Sequence, residues 1–271
     1  LGEHLAARGI AVHALDHRGH GRSIAREQDT GHFADHDGWE KVIGDLNTVI
    51  NELKRRQPGI PLLLLGHSMG SFISQAWAIE HGSAINALLL SGSNYGSTVE
   101  YRAGRQVARF EKWRLGARGK SALLEFLSFG AFNKAFRPNR TAYDWLSRDA
   151  SEVDKYVADP LCGFRVSNQL WIDLLGGLVG ITDTQSLARI PPALPVYIFG
   201  GDQDPVGKHG KGLPKLAAKL REAGLENVTL KLYEGGRHEM LNETNRDEVL
   251  ADLAGWIDRH LPTRKIAPVS G

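Results

Sequence analysis

Hydrophobic residues fall along this chain in two alternating patterns: short unbroken runs, and longer stripes at helical spacing. The runs are Ile10-Ala11-Val12-His13-Ala14-Leu15, Leu62-Leu63-Leu64-Leu65, Asn86-Ala87-Leu88-Leu89-Leu90-Ser91 and Pro195-Val196-Tyr197-Ile198-Phe199-Gly200. Runs of this length, bounded by polar and turn residues, predict buried strands of a parallel sheet. Asn227 to Tyr233 alternates and predicts one further strand. Between them lie helical stripes. Residues 1–8 form a short one closed by Gly9. Residues 37–57 carry Trp39, Val42, Ile43, Leu46, Val49, Ile50 and Leu53 on one face, with Lys54-Arg55-Arg56 at the C-terminal end and Pro58-Gly59 as the stop. Further helices are predicted from Phe72 to Ile79, over 208–223 and over 246–260. Strand alternating with helix predicts an α/β protein with a mostly parallel central sheet covered on both faces.

From Asn94 to about Pro191 the pattern changes. Helical segments there carry many of the aromatics, Phe110, Trp113, Phe129, Phe132, Trp145 and Trp171 among them, and no bounded strand-length run occurs. The expected organisation is a core over residues 1–94, a helical insertion over 95–191, the rest of the core over 192–261, and a flexible tail over 262–271. Residues 101–120 are basic, with Arg102, Arg105, Arg109, Lys112, Arg114, Arg118 and Lys120 against Glu111. Val99, Ala103, Phe110 and Trp113 fall near one face of that helix, a pattern that suits contact with an anionic lipid surface.

Composition adds few constraints. The chain has 271 residues, 42% of them hydrophobic, enough for a sizeable core, and a formal net charge of +2 is too small to imply nucleic acid as a partner. Cys162 is the single cysteine and reads as a packing residue. No apolar run approaches the roughly 20 residues that cross a bilayer, and no leader pattern opens the chain, so a cytoplasmic protein is expected. Histidines crowd residues 4–36, but their spacing matches no metal pattern, and no metal is expected.

The strongest chemical signal is Gly66-His67-Ser68-Met69-Gly70, placed between an apolar strand and a helix. A turn that tight strains its central residue and crowds its neighbours, which calls for small residues at 66 and 70. Ser68 is pushed out at the tip, at a helix N-terminus where the dipole favours developing negative charge, and the Met69 N–H becomes an oxyanion donor. A serine holds its proton at neutral pH and needs a base, which in turn needs a group to fix its tautomer. Parallel strands deliver their C-terminal ends to one edge. Two later strand ends carry Asp202 and Asp204, then His238, giving the order serine, acid, histidine.

These residues resemble the monoacylglycerol lipase and lysophospholipase branch of the α/β-hydrolases, over nearly the whole chain. The likeness rests on Asp16-His17-Arg18-Gly19-His20-Gly21-Arg22-Ser23, the pentapeptide around Ser68, Leu146-Ser147-Arg148-Asp149, Asp159-Pro160-Leu161-Cys162, Asp204-Pro205 and Gly236-Arg237-His238-Glu239. It implies the α/β-hydrolase fold, with 95–191 as a helical cap. It also implies Ser68 as nucleophile, His238 as general base and then acid, and Asp204, placed directly before Pro205, rather than Asp202 as the orienting carboxylate. In that branch a His-Gly loop after the third strand supplies a second oxyanion donor; Leu1 falls inside the helix that follows, so that loop would precede Leu1.

The activity implied is hydrolysis of a carboxylic ester of one acyl chain on a small polar head, through an acyl-enzyme and without a cofactor. Alternatives on the same three residues are a small-ester or aryl esterase and a peptidase acting on short N-terminal substrates. A hydrolase-fold binding protein without activity is the rival of another class, and a fold relative with aspartate at the elbow is disfavoured by Ser68.

Overall fold

The computed structural model describes residues 1–261; the tail expected over 262–271 lies outside them. Four strands, β1 (Leu63–His67), β2 (Ala87–Ser91), β3 (Val196–Gly201) and β4 (Val228–Tyr233), pair in chain order and all in parallel. Their C-terminal ends therefore meet at one edge.

Side chains alternate across each strand, and the two faces bury two separate clusters. Leu88, Leu90, Val196 and Ile198 face helices α2 (Gly38–Arg56), α3 (Met69–His81) and α10 (Gly212–Glu222), where Val42, Leu46, Ile73, Trp77, Leu216 and Leu220 pack. Ala87, Leu89, Tyr197 and Phe199 face the other way, onto Val249, Leu253, Trp256 and Ile257 of α11 (Arg246–His260) and Leu5 of α1 (Gly2–Ala6). The apolar runs are unbroken because both faces are covered.

Between β2 and β3 the described chain is helical: α4 (Thr98–Leu115), α5 (Ala122–Leu127), α6 (Phe129–Phe132), α7 (Ala150–Ala158), α8 (Asn168–Gly180) and α9 (Thr184–Leu187). Ser97 and Glu100 start α4 with a reciprocal capping box. Helix α4 packs on α8 with small residues, Gly104 and Ala108, set against Leu175 and Ile172. Ala108 and Glu111 are buried, and Asn168 Nδ2 donates to the Glu111 and Gly116 carbonyls at 3.2 and 3.0 Å. Its apolar stripe points outward instead, with Val99 74% and Trp113 80% exposed. The basic residues divide. Arg114 pairs with Glu111, Arg118 with Asp29 and Asp35, and Lys112 donates to Gln169, while Arg102, Arg109 and Lys120 stand in solvent.

Two expectations are corrected. Residues 10–15 form no strand: Ala11 to Ala14 are exposed, and among the described residues no neighbour pairs with them. A strand exists through its ladder, and apolar character alone does not create one. The helix predicted over 208–223 begins only at Gly212, because Lys208 and His209 hold φ of 52° and 51°, outside the helical region.

Candidate active site

Strand β1 ends at His67, and Ser68 follows as the N-cap of α3 with φ 51° and ψ −122°, a strained position for a residue with a side chain. Neighbours hold it there. The Ser68 N–H donates to the Ser91 carbonyl at 2.9 Å, and the Ser71 N–H and hydroxyl donate to the Ser68 carbonyl at 2.8 and 2.6 Å. Gly66 is required, since a Cβ there would run into the Gly70 carbonyl oxygen and lie 2.5 Å from Ser74 Oγ. Gly70 is not equally confined: its Cβ would meet His17 Nε2 at 3.6 Å, an ordinary contact, because it is the Gly70 carbonyl that crowds position 66. Met69 opens α3, so its N–H is among those without an intrahelical acceptor.

Asp204 follows β3 and is fully buried; His238 follows β4 and is 2% exposed. Asp204 Oδ2 accepts from His238 Nδ1 at 2.9 Å, and its Oδ1 accepts the Val206 N–H at 2.9 Å. Asp202 goes elsewhere, accepting the Gly235 N–H at 2.8 Å and so bracing the turn that leads to His238. The two loops touch through backbone: a Cβ on Gly201 would run into the Gly236 carbonyl.

Burial pushes the His238 pKa down, but the charge and hydrogen bond of Asp204 outweigh it and hold the imidazole above its ordinary value. His67, buried beside it with ring centroids 4.8 Å apart, is pushed down to about 3 by burial and by His238, and so stays neutral. Its Nδ1 lies 3.1 Å from Ser91 Oγ. Among the described residues no hydrogen bond joins the Ser68 hydroxyl to His238. The imidazole instead lies against His67, the residue just before Ser68, and against Trp145 at 5.0 Å. The structure thus brings Asp204 and His238 into contact and sets Ser68 on a strand end of the same sheet edge, one residue beyond a ring that His238 touches.

The glycine-rich loop after residue 15 braces its own backbone. Asp16 Oδ2 accepts the Arg22 N–H at 2.9 Å, and Arg18 makes two hydrogen bonds to Asp45 at 2.6 and 2.7 Å. Burial lowers the pKa of His17 to about 4 and also lowers that of His20. His13 is exposed, not set in a sheet.

Sequence patterns did not single out Trp145, His67 or Gly92 as neighbours of the imidazole. Trp145 comes from the helical region, stacks with Phe129 and packs on Phe132 at 6.0 and 5.2 Å, and roofs His238. Its aromatic character alone could not distinguish it from the other rings nearby. A cleft of about 580 Å³ between α2, α4 and α8 is lined by Trp39, Arg105 and Asp173, and by neither Ser68 nor His238.

The model of the Hydrolase_4 family, described as serine aminopeptidase, S33, matches residues 1–245. The chain belongs to that family. Among curated relatives, this Hydrolase_4 member is 26% identical to a monoacylglycerol lipase of Mycolicibacterium smegmatis, over 96% of this chain and 82% of the relative. It is 27% identical to a monoglyceride lipase of Rattus norvegicus, over 93% and 74%. Among solved structures, a thermostable carboxyl esterase from Bacillus coagulans in complex with glycerol superposes with a TM-score of 0.82 at 26% identity, over 90% of this chain and 79% of that one. The Hydrolase_4 chain therefore has the α/β-hydrolase fold and is a carboxylic ester hydrolase, as the sequence motifs implied.

Proposed function

We propose that this hydrolase cleaves esters of a single acyl chain, of the monoacylglycerol or lysophospholipid type, through an acyl-enzyme on Ser68. The observation that carries the reading is the buried Asp204–His238 pair beside a serine strained out of a strand end. Asp204 fixes the tautomer with Nδ1–H toward the carboxylate, which leaves Nε2 free to take a proton. As substrate enters and the ring closes on the hydroxyl, Ser68 Oγ attacks the ester carbonyl and passes its proton to Nε2. The Met69 N–H faces the developing oxyanion. His238 then protonates the departing alcohol, and a water molecule, deprotonated by the same ring, releases the fatty acid.

Residues 95–191 serve in this reading as a cap. Phe129, Phe132, Trp145 and Trp171 form one ring cluster above His238, an apolar wall suited to an acyl chain. The outward face of α4, with Val99, Phe110 and Trp113 exposed beside Arg102 and Arg109, would rest on an anionic lipid surface. Among the described residues no helix is long and apolar enough to cross a membrane, and a cytoplasmic, peripheral protein is proposed. Co-sedimentation with liposomes that does not depend on anionic lipid content would refute the surface contact.

A fluorophosphonate probe labels wild type and not Ser68→Ala if the nucleophile is right; equal labelling rejects it. A panel of chromogenic esters from short to long chains, with a monoacylglycerol and a lysophosphatidyl substrate, then tests the substrate class. Preference for the shortest ester would favour the small-ester reading, which the likeness to the carboxyl esterase also supports.

A further inference from the structure

Glu243 is fully buried, yet ester hydrolysis through Ser68 makes no use of its carboxylate. Its hydrogen bonds show what it holds. Oε1 accepts the Arg148 N–H at 3.1 Å and the Arg237 N–H at 2.9 Å. Oε2 accepts Arg148 Nε at 2.9 Å, the Thr244 N–H at 2.9 Å and the Thr244 hydroxyl at 3.4 Å. Arg148 belongs to the helical region that carries Trp145. Arg237 immediately precedes His238. One carboxylate therefore grips two segments far apart in the chain.

The same two segments are joined all around this point. The Arg237 guanidinium donates to the Asp144 and Ser147 carbonyls and lies 4.3 Å over the Phe136 ring. The Glu239 N–H donates to the Leu146 carbonyl at 2.8 Å, and the Ser147 hydroxyl to the Asn242 carbonyl at 2.8 Å. Bonds thus flank His238 on both sides, at 237 and 239. The chain leading into them, Gly235-Gly236, has no side chains of its own to hold a conformation, so its aim depends on outside contacts.

We propose that Glu243, gripped by Arg148, is a positioning residue that fixes His238 against Asp204 and beneath Trp145. The proposal rests on the reading of His238 as the catalytic base. It makes segment 144–149 a fixed part of the active site, so that any opening of the helical region must occur elsewhere in it.

The test uses the full chain carrying Glu243→Gln, which keeps volume but turns an NH2 toward groups that are themselves donors. Titration with a chromogenic phosphonate counts reactive sites, and turnover per titrated site on p-nitrophenyl butyrate is then independent of how much protein folds. Misplacing a reacting group by about 1 Å costs on the order of 100-fold, so kcat per site is expected to fall by about 10- to 100-fold with KM changed by less than about threefold. The downfield proton signal of the His238–Asp204 hydrogen bond broadens or disappears. A purely structural role would lower the melting temperature and leave both kcat per site and the proton signal at wild-type values, which overturns the proposal. If Glu243→Gln does not fold, Arg148→Met removes one arm of the grip from a partly exposed position, and Arg148→Lys keeps the charge. Arg148→Met should lose several-fold in kcat per site and Arg148→Lys should recover part of it; wild-type rates in both would also overturn the proposal. Wild type that cannot be titrated at all would instead sink the hydrolase reading.

Discussion

Replacing Gly92 with alanine tests the packing of the candidate site from the side opposite its chemistry. Gly92 follows β2 with φ 55°, and a Cβ there would lie 2.9 Å from His67 Cε1, 3.0 Å from His238 Cε1 and 3.1 Å from His238 Nδ1. Comfortable carbon contacts begin at about 3.5 Å, so the rings must retreat by roughly half an ångström. Neither is free to do so. His67 is tied to Ser91, His238 to Asp204, and Trp145 packs on His238 as well. Overpacking of this kind costs about 1–3 kcal/mol, and the left-handed backbone adds about 1 kcal/mol for alanine. A shift of roughly half an ångström in the base should cost about 10-fold in turnover, since a full ångström costs about 100-fold. Gly9→Ala is the nearer control: its φ is 76°, and nothing lies within 4 Å of the added Cβ, so it carries backbone strain alone. Urea melts and kcat per titrated site, measured on both variants, separate the two costs. If Gly92→Ala turns over like wild type per site, or loses no more stability than Gly9→Ala, the account of His238 as tightly confined is wrong.

Asp204→Asn should lower kcat by about 10³- to 10⁴-fold, while Asp202→Asn, whose amide oxygen can still accept the Gly235 N–H, keeps most activity; the reverse result in steady-state assays would exchange their roles. Because Asp204 holds His238 above the ordinary value of 6.5, and a protonated ring cannot accept a proton, the acid limb of kcat/KM should lie above that value; a limb below it contradicts the ion pair. Burial raises Asp173 to about 6, from 3.8, so above that pH the folded state carries a charge it disfavours. Asp173→Asn should therefore stabilise the protein by about 1 kcal/mol at pH 8, a figure reduced because the carboxylate lines an open cleft. The gain should shrink as pH falls through 6 toward 3.8, and urea melts at pH 5 and 8 that show no difference would refute it.

Much of the sheet was legible because burial on both faces leaves β2 and β3 uninterrupted apolar runs, as in Ala87 to Leu90 ahead of Ser91, while β4, at the end of the strand order and only partly buried, alternates. The same reasoning failed at residues 10–15, where apolar character promised a strand but no paired neighbour exists among the described residues. The meeting of Asp204 with His238 was legible because loops after parallel strands must share an edge, so order along the chain implied nearness in space. Glu243 was not. Its partners Arg148 and Arg237 come from separate segments, and nothing in the local pattern marks a glutamate that will be wholly enclosed. The stripe of α4 was legible, and the basic residues beside it suggested a face turned to a lipid surface, although periodicity alone shows that one face differs without showing which face meets the core.

The contact between Gly201 and Gly236 has a consequence for how such a protein can be altered. With main chain against main chain, neither loop has slack to absorb an insertion in the other. Anyone transplanting the acid-bearing loop from a relative would have to bring the histidine-bearing loop with it, and lineages should exchange the two as one inherited unit.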